Sequence, residues 1–354
     1  MEVTHADPEG RSARGAEIRA AIEAAGGAIP FQEFQRLALY GTDGFYAHAG
    51  GRAGRRGDFL TSPEVGPLFG VVIARYLDAV WVAFGRPDVF TVVDAGAGPG
   101  TLARAVTAAA AQCGPALRYV AVEMSVAQRS QHPDGVESRS ELPEGPFDGV
   151  IIANELLDNV PFRLCVFDGG WREAFVTTDP GGGFSEVLST PFDPVPGVLP
   201  AMAPHGARAP LVSEAGAWVD RARSRLRSGS LLVIDYGRPT TAEFAAVPWR
   251  EWLRTYRGHE RGGHYLDAPG AQDITVDLPL DQLSEPDTIW TQAQFLELHG
   301  IDELVAQGRA GGTAGAAFGG LEALRMRSRV REAEALLDPA GLGGFTVLEW
   351  HASR

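Results

Sequence analysis

Apolar positions along this chain of 354 residues follow two patterns in turn, first helical spacing and then short continuous runs. Residues 12–25 and 30–40 are expected to be short helices, with Pro30 at the start of the second, where a missing amide proton costs little. Residues 41–66, GTDGFYAHAGGRAGRRGDFLTSPEVG, break the pattern. They are glycine-rich and polar with aromatic punctuation and read as a long loop, which in a compact domain is functional or disordered. Helical spacing resumes in SPEVGPLFGVVIARYLDAVWVAF, with Ser62 as cap and Pro63 at the first helical position.

From residue 89 strand and helix signals alternate. Residues 89–95 (VFTVVDA), 117–123 (LRYVAVE), 147–155 (FDGVIIANE) and 229–237 (GSLLVIDYG) are apolar runs of strand length. Helical stretches at 101–112, 125–131 and 213–227 separate them. Residues 160–176 form an expected hairpin across Gly169-Gly170. Residues 180–212, rich in Pro and Gly, read as an irregular insertion, and 250–285 as another. A helix at 291–299, a glycine-rich stretch at 307–320, a helix at 321–337 and the strand FTVLEW close the chain. Strands separated by helices imply an α/β fold with a mainly parallel sheet covered on both faces. The expected organisation is an N-terminal helical and loop cap over residues 1–84 and a core over 85–354 carrying the two insertions.

A 45% hydrophobic content is compatible with a sizeable core. The net charge of −14 argues against a broad nucleic-acid-binding face, so no nucleic-acid partner is expected. All 31 basic side chains counted as Lys or Arg are arginine, so Schiff-base and P-loop lysine chemistry are excluded. Cys113 and Cys165 are far apart and belong to no CxxC pair, which disfavours a disulfide framework or zinc site and fits a reducing compartment. The first ten residues lack a signal pattern, and no apolar run approaches the roughly 20 residues of a membrane span. A soluble, cytoplasmic protein is expected.

The run VVDAGAGPGTLARAV, residues 92–106, places Gly96, Gly98 and Gly100 between a buried strand and a helix. Such spacing brings backbone close to a ligand. Thr101 stands where the dinucleotide fingerprint has its third glycine. Asp94 can orient the loop or meet an amino group. Glu123 ends the next strand and can accept both ribose hydroxyls of an adenosine. Alone it fits NAD as well as S-adenosylmethionine. The loop spelling and the lack of a 2-hydroxy-acid or alcohol-type catalytic set favour S-adenosylmethionine.

Six segments occur in order: GDFLTSPEVGPLFG, VVDAGAGPGTLARAV, YVAVEMSVAQRSQ, IIANELLDNVPFRL, LLVIDYG and YRGHERGGHYLDAPGAQDITVDLP. Together they resemble the MidA-type methyltransferase family over roughly residues 30–350. The chain departs from the family pattern at Val71 and Val72, at Asn159 and in VDLPL after DIT, positions that bear on the substrate more than on the cofactor. The resemblance implies a class I (Rossmann-like) methyltransferase core, S-adenosylmethionine as cofactor and, from mitochondrial members, N-methylation of arginine in a protein subunit together with an assembly role.

If the acceptor is arginine, its guanidinium is cationic and needs carboxylates in bidentate geometry. Asn154, Glu155 and Asp158 follow the GVIIAN strand, where open α/β sheets bind ligands. Glu155 and Asp158 are the expected catalytic clamp, although acidic residues opening a helix would look the same. Thr61, Ser62 and Glu64, in the TSPE segment, are expected at the cofactor, with Glu64 open to a substrate contact as well. Asp273 and Thr275 are expected to make substrate or structural hydrogen bonds from a covering loop. His259 is a proton acceptor or an ordinary surface histidine. The spacing of His259, His264, Asp267 and Asp273 matches no metal-ligand pattern, so no metal is expected. Open alternatives are methylation of a small molecule in specialised metabolism, an assembly module that keeps cofactor binding without catalysis, and hydride transfer. Expected partners are an arginine-bearing protein or a small molecule, with a homodimer left open.

Overall fold

The computed structural model describes residues 15–47, 61–109, 111–257, 260–313 and 320–352. The helices are α1 (Ala16–Ala24), α2 (Phe31–Tyr40), α3 (Ser62–Val65), α4 (Pro67–Ala83), α5 (Thr101–Ala108), α6 (Val126–Arg129), α7 (Ser213–Ser224), α8 (Thr241–Ala246), α9 (Gln292–Leu298), α10 (Ile301–Thr313) and α11 (Gly320–Leu337). The strands are β1 (Ile29–Pro30), β2 (Phe90–Ala95), β3 (Leu117–Val122), β4 (Glu137–Arg139), β5 (Phe147–Asn154), β6 (Arg163–Phe167), β7 (Trp171–Thr178), β8 (Phe184–Pro191), β9 (Arg208–Leu211), β10 (Leu226–Asp235), β11 (Gly237–Arg238), β12 (Leu253–Arg257), β13 (Glu260–Arg261), β14 (Asp273–Val276), β15 (Leu278–Pro279), β16 (Thr288–Thr291) and β17 (Thr346–Ala352).

The central sheet has seven strands in the order β16-β17-β10-β5-β2-β3-β4. β10, β5, β2, β3 and β4 pair in parallel, and β17 runs antiparallel to both its neighbours. Every residue of β2 is buried, because both faces of the sheet are covered. Strand periodicity divides the core in two. Val93, Ile151 and Val233 face one layer, whereas Val92, Ile152 and Leu232 face the other. The second layer contains α4, α5 and the C-terminal helices. Gly70 of α4 meets α5 so closely that a Cβ there would lie 2.3 Å from Ala105 Cβ. Over the first layer lie α7 and a second sheet, β1-β7-β6-β9 with β8 paired to β7. Helix α2 packs on β6, β7 and β14.

From β2 the chain winds outward through β3 and β4, whereas β5 and β10 lie on the other side of β2. The reversal leaves a crevice at the carboxyl ends of β2 and β5. This is the expected α/β arrangement, mainly parallel with helices on both faces.

Several local expectations need correction. Residues 180–212 are not irregular throughout: β8 and β9 belong to the second sheet. Their prolines, Pro191 and Pro210, lie on edge strands, where a missing N–H leaves no ladder bond broken. Residues 250–285 hold β12 to β15. Helix α10 continues to Thr313 through part of the glycine-rich stretch. The helix expected from Ser62 onward is two helices, broken at Gly66. A Cβ at Gly66 would lie 2.2 Å from Glu332 Cδ, and Glu332 accepts the Leu68 N–H at 2.9 Å. A buried carboxylate thus satisfies the α4 N-terminus, where the helix dipole favours negative charge.

Candidate active site

A cleft of about 530 Å³ opens at the carboxyl ends of β2, β3 and β5. Its walls include Asp94, Gly96 and Gly98 after β2, Glu123 after β3, and Asn154 and Glu155 after β5. Thr61 and Glu64 approach from α3. Eight of the expected site residues therefore converge although 94 residues of chain separate the first from the last.

The glycine loop is dictated by backbone shape. Gly96, Gly98 and Gly100 have φ of 73°, 54° and 79°, a region that costs other residues roughly 1–2 kcal/mol. The carboxylate of Glu123 ties the loop down. It accepts the Gly98 N–H at 3.1 Å on one oxygen and the Ser125 N–H at 2.8 Å on the other. His132 Nε2 lies 2.9 Å from the Gly98 carbonyl, which only accepts, so this nitrogen carries the proton. Its Nδ1 then accepts from the Ser138 hydroxyl at 2.9 Å. A Cβ on Gly98 would meet only Gln128 Oε1, at 3.2 Å, so the space in front of the loop is open to a ligand. Gly100 does not line the cleft; it opens α5 beside His132 and Pro133.

Asp94 is buried and accepts a hydrogen bond from Tyr119 at 3.1 Å. Burial pushes its carboxyl up to about 7; the Tyr119 hydrogen bond opposes this and the charge of Glu123 adds to it. Glu64 accepts a short hydrogen bond from the Thr101 hydroxyl and so links α3 to the start of α5. Ser62 departs from the expected cofactor role. Its side chain is buried and donates to Gln292 Oε1 at 2.7 Å, away from the cleft lining. Only its backbone faces the site, with its N–H 3.4 Å from Glu155 Oε1.

Glu155 has φ +51°, an unusual conformation for a residue with a side chain. Its N–H remains bonded to the Ile234 carbonyl at 2.8 Å while the positive φ turns the chain away from β5. Burial and then the charge of Asp158 push its carboxyl up to about 8, against hydrogen bonds from Ser62 and Asn154. Asn154 Nδ2 donates to Glu155 Oε1 at 3.2 Å, which directs Asn154 Oδ1 elsewhere; that buried oxygen has no partner among the described residues. Glu155 therefore brings a carboxylate to the cleft wall, and among the described residues it has no cationic partner.

Asp158, paired with Glu155 in the expected clamp, is buried and off the cleft wall. Burial pushes its carboxyl up to about 7, opposed by the charge of Arg254, and its Oδ1 has no hydrogen-bond partner among the described residues. It lies in a buried acidic group with Asp235, whose Oδ2 accepts the backbone N–H of Leu157 and Asp158 at 2.9 and 3.2 Å. The geometry leaves Glu155 as the clamp residue that reaches the cleft and gives Asp158 an electrostatic role behind it. Asp273 and Thr275 are likewise buried and off the wall. Asp273 accepts from Asn159 Nδ2 at 3.0 Å and thus makes a structural hydrogen bond rather than a direct substrate contact. His259 lies outside the described residues.

The sequence reading missed several wall residues. Tyr40 and Tyr46 come from α2 and the turn after it, and Asn159 from the segment after β5. Trp218, Arg221 and Arg225 also line the cleft, with Leu142. The available signals were the aromatics in LYGTDGFY and the i, i+3, i+7 spacing on the α7 face.

A family model for S-adenosyl-L-methionine-dependent methyltransferases matches residues 72–297, a span holding the glycine loop, Glu123 and Glu155. The chain belongs to this methyltransferase family. The methyltransferase shares its fold with a COG1565 superfamily member from Burkholderia thailandensis bound to S-adenosyl-homocysteine. The two are 28% identical with a TM-score of 0.82, covering 98% of this chain and 95% of that one. A native structure of a COG1565 superfamily protein from the same organism gives a TM-score of 0.79 at 28% identity, over 99% and 95% of the two chains. The mouse protein named protein arginine methyltransferase NDUFAF7, mitochondrial, is 25% identical over 299 residues, 73% of this chain and 66% of the mouse protein. Its zebrafish counterpart is 25% identical over 322 residues, 78% and 74% of the two chains. The methyltransferase thus spans about two thirds of the mouse relative's length.

Proposed function

We propose that this methyltransferase transfers the methyl group of S-adenosylmethionine to a guanidinium nitrogen of arginine in a protein acceptor. The observation that carries the reading is Glu155, a carboxylate on the cleft wall held at φ +51° with no cationic partner among the described residues. Such a residue is retained where surrounding structure over-determines it, commonly at a functional site. A guanidinium presents several N–H donors in one plane and fits two adjacent acceptors better than a point cation does. The names of the mouse and zebrafish relatives support this acceptor.

The cofactor residues fit the same picture. Glu123 would meet the ribose, the glycine loop would approach the cofactor with backbone alone, and Asp94 would face its ammonium group. Bound S-adenosylmethionine supplies an electrophilic methyl on a cationic sulfur. The protein's part is to hold the acceptor nitrogen in line and to take its proton. Glu155, held by Asn154, accepts guanidinium N–H bonds and fixes its plane, which converts a bimolecular encounter into a positioned one. Transfer would break the carbon–sulfur bond, with its electron pair left on the sulfur of S-adenosylhomocysteine, and the nitrogen that gains the methyl would lose a proton. Glu155, with its raised proton affinity, takes that proton and releases it to the cleft water. Asp158 strengthens this behaviour by its charge, without touching the acceptor.

The test is incubation of the purified protein with methyl-labelled S-adenosylmethionine and an extract of its source. Label entering the protein fraction is expected. Label confined to small molecules would replace the protein acceptor with a metabolite.

A further inference from the structure

One wall of the cleft is aromatic. Tyr40 and Tyr46 both line it, with ring centroids 5.6 Å apart and planes inclined by 18°. Their hydroxyls converge on Asn159, also on the wall. Tyr40 donates to the Asn159 carbonyl at 3.1 Å, and the Tyr46 oxygen lies 2.9 Å from Asn159 Oδ1 and 3.2 Å from Asp273 Oδ2. Asn159 Nδ2 in turn donates to Asp273 Oδ1 at 3.0 Å and to the Ile274 carbonyl at 3.3 Å. Two rings are thus clamped by one asparagine, which is itself held by β14. Rings fixed in this way contact a ligand with little loss of side-chain freedom.

The electrostatics define the ligand class. Burial raises both phenols well above their ordinary value, and the charges of Asp273 and Asp158 add to the rise. The hydroxyls stay protonated and cannot serve as bases. The same carboxylates favour a cation near these rings, against the opposing charge of Arg36 at Tyr40. A planar cation placed against an aromatic ring gains from the ring quadrupole, most of all where water is excluded.

We propose that Tyr40 and Tyr46 form the acceptor-recognition wall, against which the guanidinium packs while Glu155 binds its N–H groups. The proposal rests on the arginine reading above and adds what selects the acceptor. Both tyrosines precede residue 72, where the family match begins, so this selectivity is built by the N-terminal segment.

The test uses protein saturated with S-adenosylhomocysteine, titrated calorimetrically with N-acetyl-arginine amide and with its neutral isostere, N-acetyl-citrulline amide. Wild type should bind the arginine probe at least about tenfold more tightly than the citrulline probe. Tyr46→Leu and Tyr40→Leu, which keep apolar bulk but lose the ring, should weaken the arginine probe by roughly five- to twentyfold and reduce the preference over citrulline. Tyr46→Phe keeps the ring, folds with the least disturbance, and should stay within about threefold of wild type. Affinity for S-adenosylhomocysteine should change by less than about twofold in variants that fold. Leu variants that retain full arginine affinity and full selectivity would overturn the aromatic wall and leave the arginine reading standing. A loaded wild type that binds neither probe, or both equally, would remove the arginine reading and this proposal with it. If the Leu variants fail to fold, Tyr46→Phe decides in combination with Asn159→Ala, which removes the amide that links the Tyr46 hydroxyl to β14. Loss of selectivity in Asn159→Ala with retention in Tyr46→Phe supports the clamped wall, and unchanged selectivity in both overturns it.

Discussion

Replacing Glu155 by Gln separates the cost of the cleft carboxylate to the ligand-free fold from its use in the reaction. Gln keeps the shape and an oxygen that accepts the Ser62 and Asn154 hydrogen bonds, but it carries no charge. In the ligand-free protein burial and Asp158 raise the Glu155 carboxyl from its ordinary 4.5 to about 8. A raised carboxyl holds its proton more tightly in the folded state than in the unfolded chain. Its charge therefore costs the fold nothing below about pH 4.5, and the cost grows as pH rises toward about 8. Taken at face value the rise corresponds to a ceiling of about 5 kcal/mol at alkaline pH. Glu155 borders an open cleft, where water screens and relaxes the charge, so about 1–2 kcal/mol is the expected gain on substitution. Denaturant unfolding of the ligand-free proteins at pH 5 and pH 8.5 measures it. Glu155→Gln should match wild type at pH 5 within about 0.5 kcal/mol and exceed it by about 1–2 kcal/mol at pH 8.5. In the loaded state the order reverses in function, with methyl transfer falling by at least about tenfold while S-adenosylhomocysteine affinity is kept within about threefold. A variant destabilised equally at both pH values would refute the electrostatic reasoning, and near-normal transfer would remove Glu155 from the mechanism.

Three other substitutions probe the frame around it. Glu123→Ala removes the proposed ribose acceptor and the carboxylate that holds the Gly98 and Ser125 N–H groups, so calorimetry should show S-adenosylhomocysteine affinity lower by about tenfold or more, with little further loss for a 2′-deoxyadenosyl analogue; equal discrimination by both proteins would free Glu123 from the ribose. Gly98→Ala places a side chain at φ +54° with only the end of Gln128 in its way, so the protein should fold with a stability loss of about 1–2 kcal/mol while cofactor affinity drops severalfold, and undiminished affinity would move the cofactor off this loop. Gly70→Ala drives a methyl to 2.3 Å from Ala105 Cβ and should destabilise the fold by about 1–3 kcal/mol in denaturant unfolding without altering S-adenosylhomocysteine affinity in the folded fraction; an unchanged midpoint would show that α4 and α5 separate more easily than their packing implies.

The central strands were legible because burial on both faces makes each an unbroken apolar run, as in β2 and β5. The glycine loop was legible too, because the turn at Gly98 and its tie to Glu123 are constraints local to a strand end. β8 and β9 were hidden because proline counts against a strand until its edge position is known. Asp273 and Ser62 sit in segments that resemble family motifs, but their side chains turn to Asn159 and Gln292 within the protein. Spacing along the chain carries no information about that direction. Tyr40 and Tyr46 were illegible as site residues for the same reason in reverse: a helix and turn outside the sheet bring them across 108 residues or more to Glu155.

One bond decides the proposed function, that between the transferred methyl and its acceptor atom. The direct measurement is acid hydrolysis of the protein fraction after incubation with methyl-labelled S-adenosylmethionine and extract, followed by separation of the amino acids. The label should elute as N-methylated arginine and be greatly reduced when Glu155→Gln replaces wild type. Label recovered as a base-labile carboxyl ester, on another side chain or only in the small-molecule fraction would contradict the account.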